Sequence, residues 1–340
     1  MSLLIRHVTP VSPQRARGLL AEVYAQVNAE FSSIGPAVMM MSPAAELMAA
    51  GWSLMREAQL VGQAPALDKT LVALGAAQAN QLEYDVQAFL SVLRLMGEPQ
   101  LADVIARGGS PADPRFAGLL KWAASTGVEG VDPVEAPFSP QVAAEHIGTV
   151  LFTHFVDRVA AVMLPAGLTP GSMDPDDEPP FEGAPVLREL GRDLRPGDTL
   201  ALLKDLPTGE PPAWAADLPI GRAYATLAAT AAQGAGLLTP DAATVVADVV
   251  AAHRGRRRPA GDWLDTPLSV LSPEERAGAS VAVMAALAPH AITDEQVATW
   301  RATDRRFSDH CTVYLLAYGA MTAVTHIEAD ITAALGGRRS

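Results

Sequence analysis

The sequence predicts an all-α protein, and three observations indicate that fold class. Of the 340 residues, 49% are hydrophobic but only 5% are aromatic, a composition that favours helices packed closely through small side chains. Apolar residues recur at helical spacing over residues 13–164 and again over residues 220–335. Alternating patterns that are typical of strands are nearly absent.

The first helical stretch divides at turn-forming residues. Gly35-Pro36 and the segment 108–111, Gly-Gly-Ser-Pro, interrupt the periodic pattern. Between these breaks the spacing of apolar residues predicts helices over residues 14–31, 43–60, 98–107, 114–125 and 139–164, and a helix pair over residues 66–96.

Helices of the second stretch begin with capping signals. Pro240-Asp241 starts one helix, Ser272-Pro273 a second and Thr293-Asp294 a third. In each case a residue of capping type precedes acidic residues of the first turn, where a carboxylate stabilises the exposed backbone N–H groups.

The chain length and the change of composition between the two stretches predict two helical units. The first covers residues 1–164 and the second residues 220–340, with a crossover over residues 165–219 that is rich in Pro, Gly and acids. From composition alone the crossover is either a flexible linker or an ordered segment. We expect an internal duplication, because Phe138-Ser139 and Phe307-Ser308 each precede a long helix, and Lys69 and Arg276 lie early in comparable helices.

Net charge and hydropathy exclude several classes of partner. A net charge of −13 argues against nucleic acid, and we expect the one basic run, residues 253–258, to be a solvated turn. No apolar segment reaches the length of a membrane span. The first residues lack the pattern of a secretory signal, so we expect a cytoplasmic protein.

Metal and nucleotide sites are not indicated. Cys311 is the single cysteine, so the chain has no Cys-x-x-Cys couple and no thiolate zinc site. His146 and His154 lie eight residues apart, about 12 Å along a helix, which is too far for one ion. No glycine-rich phosphate loop follows a strand. We therefore expect neither a metal nor a cofactor.

Residues 69–96, KTLVALGAAQANQLEYDVQAFLSVLRLM, resemble the core segment of the alkylhydroperoxidase D and carboxymuconolactone decarboxylase family. In that family a Glu lies twelve residues before a Cys-x-x-Cys pair, and a His follows four residues after the second Cys. With Ala79-Asn80 as the anchor, those positions are Thr70, Leu82, Asp85 and Phe89 here. The resemblance extends to the crossover, with Pro196-Gly197, Leu202-Leu203, Leu206-Pro207 and Trp214-Ala215, and implies an ordered crossover, a two-unit all-α bundle and a homo-oligomer.

None of these four side chains can perform thiol peroxidase chemistry, since none is a thiol, a histidine or a glutamate. The helix that begins here instead carries Glu83, Tyr84 and Asp85, which could act as acids or bases. Burial among apolar groups would raise the pKa of Asp85 and the helix N-terminus would lower it, so the net direction stays open. The alternative is that the carboxylates only favour the first helical turn.

A second candidate lies on the predicted helix over residues 139–164. The family has a Phe-His-aromatic-x-x-Arg pattern there, and the nearest match is Phe152, His154, Phe155 and Arg158, with one extra residue before the histidine. His154 is the most plausible histidine acid or base. The alternative is a core histidine bonded to a backbone carbonyl, with Asp157 and Arg158 in surface or interface pairs.

Two hypotheses for function follow. The first is a cofactor-independent, non-redox enzyme, of the isomerase, cyclase or lyase type, that acts on a largely apolar small molecule. The second is a non-catalytic relative that binds a ligand or a partner. For the first we expect catalysis by Asp85, Glu83, Tyr84 and His154, and substrate contacts from Gln81, Leu82, Phe89, Arg158, His146, Trp52 and Met55.

Overall fold

The computed structural model describes residues 5–31, 34–131, 134–170, 194–259 and 261–336. The predicted all-α class is confirmed, because the described residues form helices joined by turns and no sheet. Among these residues, Val128 and Arg257 form an isolated β-bridge.

The α-helices are numbered here in chain order. In the first half they are α1 (Leu19–Glu30), α2 (Pro36–Met39), α3 (Ala45–Met55), α4 (Ala66–Asn80), α5 (Glu83–Leu95), α6 (Pro99–Ala106), α7 (Pro114–Ala124) and α8 (Ala143–Met163). In the second half they are α9 (Pro219–Ala232), α10 (Pro240–Ala252), α11 (Asp265–Leu268), α12 (Pro273–Leu287), α13 (Asp294–Ala302) and α14 (Asp309–Gly336).

Most predicted helices are confirmed, and the differences have local causes. Helix α1 begins five residues later than predicted, because Gly18 has a left-handed backbone conformation (φ +54°) that ends the preceding turn. The predicted pair over residues 66–96 divides at Gln81, whose φ of +55° stops α4. The capping signals also hold, since Ser272 and Thr293 each form a reciprocal capping box with the residue three positions later.

Helix α3 continues into a single π-helical segment, Arg56–Leu60, which sequence periodicity did not predict. Its first side chain, Arg56, is fully buried and pairs with Glu30 and Glu57. A buried guanidinium needs such partners, because removing it from water without compensation is costly.

Helices α4, α8, α12 and α14 form the centre of the molecule. Helix α4 packs between α7 and α8, and α14 packs against both α8 and α12. One cluster of buried apolar side chains runs through both halves of the chain. The boundaries drawn at residues 164 and 219 remain a prediction.

Part of the predicted crossover packs against the first half. The carbonyl of Arg195 accepts a hydrogen bond from Arg56, and Glu57 accepts from the backbone N–H of Gly197 and the hydroxyl of Thr199. Residues 194–219 therefore form an ordered segment in the structure, while residues 171–193 lie outside the described ranges.

Two kinds of contact occur in both halves of the chain. The Lys69 ammonium donates to the carbonyl of Val61 and the Arg276 Nε donates to that of Leu268, in each case eight residues upstream. In both halves a tryptophan ring also lies 4.7 Å from the ring of the phenylalanine before the closing helix, in the pairs Trp122–Phe138 and Trp300–Phe307. The two-unit form nevertheless stays a prediction.

None of the helices described is both long and apolar enough to cross a bilayer.

Candidate functional site

The candidate site lies where α4 ends beside the middle of α8. Helix α8 is mostly apolar, but it buries three polar side chains within five residues: His154, Asp157 and Arg158. Asn80, the last residue of α4, is also buried and faces them. Because buried polar groups require hydrogen-bond partners, these four side chains form one connected network.

His154 is held from both sides. Its Nδ1 lies 2.9 Å from the amide oxygen of Asn80, and its Nε2 lies 2.7 Å from the hydroxyl of Thr126. Arg158 donates to the same amide oxygen at 3.1 Å, which fixes the orientation of the amide, since a guanidinium can only donate. Arg158 Nη1 also lies 3.2 Å from Nδ1, but its two hydrogens are used by the Asn80 amide oxygen and the carbonyl of His154. The amide oxygen can then only accept from His154, which places the proton on Nδ1. Nε2 is left unprotonated beside the Thr126 hydroxyl, whose one proton is also within reach of the Ala123 carbonyl at 2.6 Å.

Arg158 connects four parts of the chain. Besides Asn80 it donates to the carbonyls of His154, Gly255 and Ala286, at 2.9, 3.1 and 2.9 Å. Burial lowers the pKa of Arg158 to about 9, so the guanidinium stays charged at neutral pH.

The network continues from Asn80 to a pair of carboxyl groups. The Asn80 amide donates to Asp157 at 2.8 Å, and Asp157 hydrogen-bonds to Asp85 in the first turn of α5. Two carboxyl groups in contact cannot both ionise readily, so they share a proton. Asp85 lies at the N-terminus of α5, which favours the anion there, and we therefore assign the proton to Asp157.

Burial determines the charge states of the site. It raises the pKa of Asp157 well above the usual value, and the charge of Asp85 raises it further. Burial also raises the pKa of Asp85, although the hydrogen bond from Asp157 lowers it in part. Burial, and then the charges of Arg158 and Arg257, hold the pKa of His154 well below the usual value, so His154 is neutral at physiological pH.

The basic run over residues 253–258 is not the solvated turn that we expected. Arg254 and Arg256 pair with Asp330 of α14, and Arg258 pairs with Glu129. Arg257 reaches the end of α4, where it donates to the carbonyl of Ala79 at 3.1 Å.

Arg257 donates to a carbonyl of the first half and Arg258 pairs with a carboxylate there. The run therefore holds the second half against the site. His290 of the second half adds a hydrogen bond from Nε2 to the carbonyl of Asn80, at 3.0 Å.

A cleft of about 250 Å³ reaches the network through Thr126. Its apolar wall residues come from α7, the loop after α7 and the last turns of α14, namely Trp122, Val131, Val134, Ile327, Ile331 and Leu335. The charged residues Glu135, Arg256 and Asp330 also line it. Gly127 also lines it, with a φ of +65°. A Cβ at this position would lie 3.0 Å from the His154 ring, so the glycine lets the loop approach the imidazole closely.

The predicted residues of α5 lie at the other end of the network. Tyr84 is half-buried, and burial together with the charge of Asp85 raises its pKa to about 12. Leu82 is buried in the core and Phe89 packs against it. Glu83 is exposed and accepts a hydrogen bond from Gln87 one turn later. Gln81 is also exposed, and its side chain accepts from Arg257.

The other predicted residues lie outside this network. His146 is buried against Phe138, with a ring-centroid distance of 4.8 Å, and burial lowers its pKa to about 4. Trp52 is buried on α3, where it donates to Gln26, and Met55 is buried on the same helix. The structure thus brings together His154, Arg158, Asp85 and Tyr84, but not Glu83, His146, Trp52 or Met55. The functional roles of all of them remain predictions.

Sequence reasoning missed several members of the network: Asn80, Asp157, Thr126, Arg257 and His290. For Asp157 a signal was present, because three polar residues within one turn and a half of an apolar helix indicate a buried polar cluster. Asn80 belongs to the family pattern, but the pattern predicted no role for its side chain. The remaining three reach the site through contacts that are distant in sequence. In the described part of the chain, no three His, Cys, Asp or Glu side chains are grouped to hold a metal ion.

Comparison with known proteins identifies the family. No family model matches the chain. A Mycobacterium tuberculosis protein named alkyl hydroperoxide reductase is 34% identical over 341 aligned positions, which cover 99% of this chain and 97% of the relative. The chain belongs to the alkylhydroperoxidase D-like family. The expected replacement of the family's redox motif at this helix junction remains a prediction.

The shared proton predicts a pH-dependent effect of Asp157→Asn. The folded state of the natural protein binds a proton that the unfolded state has released above about pH 4, so its free energy of unfolding falls as the pH rises above that value. The asparagine side chain of the variant imitates the protonated carboxyl and does not titrate. The stability of the variant relative to the natural protein should therefore increase with pH, by up to about 1.4 kcal/mol per unit.

Urea unfolding between about pH 4.5 and 8 measures this difference. Asp248→Asn, at an exposed position, serves as the matched control and should give a difference that is nearly independent of pH. A constant difference for Asp157→Asn as well would show that the carboxyl pair does not share a proton.

Proposed function

We propose that the protein is a cofactor-independent, non-redox enzyme that moves a proton within a largely apolar small molecule. The observation that carries the proposal is the position of Thr126. Thr126 lines the cleft, and its hydroxyl lies 2.7 Å from the Nε2 of a neutral, buried His154. A hydroxyl, a histidine and an orienting amide in this order are a recognised arrangement for activating the hydroxyl.

The proton can pass along this arrangement without any co-reactant. A substrate proton moves to the oxygen of Thr126 while the hydroxyl proton moves to Nε2 of His154, which leaves a substrate anion and an imidazolium. Since burial and two arginines disfavour the imidazolium, His154 is a poor store for the proton. The proton therefore returns to the substrate at a second position, which suits an isomerisation or a cyclisation.

The carboxyl pair has a supporting role in this account. Asp85 and Asp157 orient the Asn80 amide, and through it the imidazole, and their negative charge offsets part of the charge of Arg158 and Arg257. Tyr84, with its raised pKa, remains a neutral phenol beside them. The predicted homo-oligomer belongs to this proposal as an expectation.

A second candidate function is binding without catalysis. Two observations favour it: the lowered pKa of His154, which makes it a weak base, and the carbonyl of Ala123, which lies 2.6 Å from the Thr126 hydroxyl and competes for its proton. Binding of a ligand without any conversion would support this candidate.

Proton transfer can be tested with a panel of β,γ-unsaturated cyclic ketones. Their conversion to conjugated ketones needs only the removal and return of one proton, and it is followed by ultraviolet absorbance without added cofactor. Thr126→Val and His154→Gln should each lower the rate by about 100-fold or more, the usual contribution of acid–base catalysis.

Ser125→Ala is the matched control, because Ser125 also lines the cleft but its hydroxyl bonds to the carbonyl of Trp122 and the N–H of Val134 rather than to His154. Its rate should stay within about threefold of the natural protein. Conversion that survives both Thr126→Val and His154→Gln would contradict the proposed site.

A redox role can be tested separately with cumene hydroperoxide and a dithiol reductant. The single cysteine, Cys311, lies at the start of α14 and is absent from the network. We expect the natural protein and Cys311→Ser to consume peroxide at the same rate as the uncatalysed reaction. Peroxide reduction that disappears in Cys311→Ser would show that the protein is a peroxidase after all.

A further inference from the structure

A second cleft, of about 420 Å³, lies where the start of α14 meets the start of α3 and the crossover. Glu46 of α3, Asp205 and Leu206 of the crossover, and His310 and Tyr314 of α14 line it. We propose that this cleft binds a small primary ammonium compound with an apolar body. The proposal is independent of the reaction proposed above.

The carboxylates of Glu46 and Asp205 give the cleft a negative charge. Glu46 is half-buried, and among the described residues it has no salt bridge. It lies in the first turn of α3, where the helix dipole stabilises the carboxylate. Asp205 has only Lys204 as a partner within those ranges, at 3.9 Å and with both side chains largely exposed, a separation that contributes little. The cleft therefore carries a negative field that favours a cation.

Tyr314 adds a phenol to the wall of the cleft. Tyr314 is only 7% exposed, and within the described ranges its phenolic oxygen makes no hydrogen bond, although the side chain lines the cleft. Burial and the charge of Glu46 raise the pKa of Tyr314 to about 12, which places the phenol near that carboxylate. The phenolic oxygen itself is accessible to solvent, so it can accept a hydrogen bond from a ligand in the cleft. An ammonium group between Tyr314 and Glu46 would donate to both oxygens.

The remaining walls suit the body of such a ligand. The rings of His310 and Tyr314 are in contact, with centroids 4.6 Å apart, and the carbonyl of Pro43 accepts a hydrogen bond from His310 that fixes this pair. Aromatic faces attract an ammonium group. Leu206 and Leu237 supply further apolar contacts in the cleft.

Other ligand classes fit less well. An anion would be repelled by the two carboxylates. A metal ion fits less well because the described residues contain no group of three His, Cys, Asp or Glu side chains that could hold it. The site is also separate from the first cleft, because Tyr314 and Ile331 lie on one helix, about 25 Å apart at 1.5 Å per residue.

The probe is n-butylammonium, with n-butanol as the uncharged analogue at equal ionic strength. Titration is followed by backbone ¹H–¹⁵N chemical shifts of the full-length protein. We expect saturable shifts at Glu46, Cys311 and Tyr314 with the ammonium compound, and at least tenfold weaker binding of the alcohol.

Glu46→Gln should weaken ammonium binding at least tenfold, and Tyr314→Phe, which removes only the hydroxyl, by about threefold. Glu274→Gln is the matched control, since it makes the same change in the first turn of α12 and should bind like the natural protein. Retained spectra confirm that each variant is folded. Equal binding of amine and alcohol, or equal binding by Glu46→Gln and Glu274→Gln, would overturn the proposal.

Discussion

The structure depends on the groups that accept hydrogen bonds from one buried cation, the guanidinium of Arg158. The guanidinium of Arg158 is 1% exposed, and its hydrogen bonds reach the end of α4, its own helix, the end of α12 and the segment after α10. Removing one partner of a buried ion costs several kcal/mol, because the charge is then left uncompensated. The packing of the two halves and the orientation of the Asn80 amide therefore follow from the same interaction.

That interaction also determines the chemistry that the site can perform. Burial, together with the cation beside His154, keeps the imidazole neutral, and the fixed amide oxygen keeps its proton on Nδ1. Thr126 is the residue of the network that lines the cleft. Where a thiol site needs an electropositive surrounding to generate a thiolate, this site uses the same kind of surrounding to hold a neutral histidine. We propose that the residues at the helix junction give the family frame a different chemistry.

Sequence periodicity predicted the helices well, because each buries one apolar face, and turn residues marked most of their ends. The site was predicted only in part. His154 and Arg158 stood out as polar residues in an apolar helix that matches a family pattern, and Asp85 as a replaced motif position. Thr126 and Arg257 could not be predicted, since they meet His154 only through the packing of α7 and of the second half onto α8. The pKa of Asp85 is raised by burial and lowered in part by the hydrogen bond from Asp157, a contact between helices that no spacing rule gives.

The most direct test of this account is the protonation state of His154, measured by long-range ¹H–¹⁵N correlation spectra of the ¹⁵N-labelled protein, with His154→Gln to assign its signals. The account predicts a neutral ring that is protonated on Nδ1 and does not titrate between about pH 5 and 8. A ring that titrates near its ordinary pKa, or that carries its proton on Nε2, would contradict it, because His154 could then not accept the proton of Thr126.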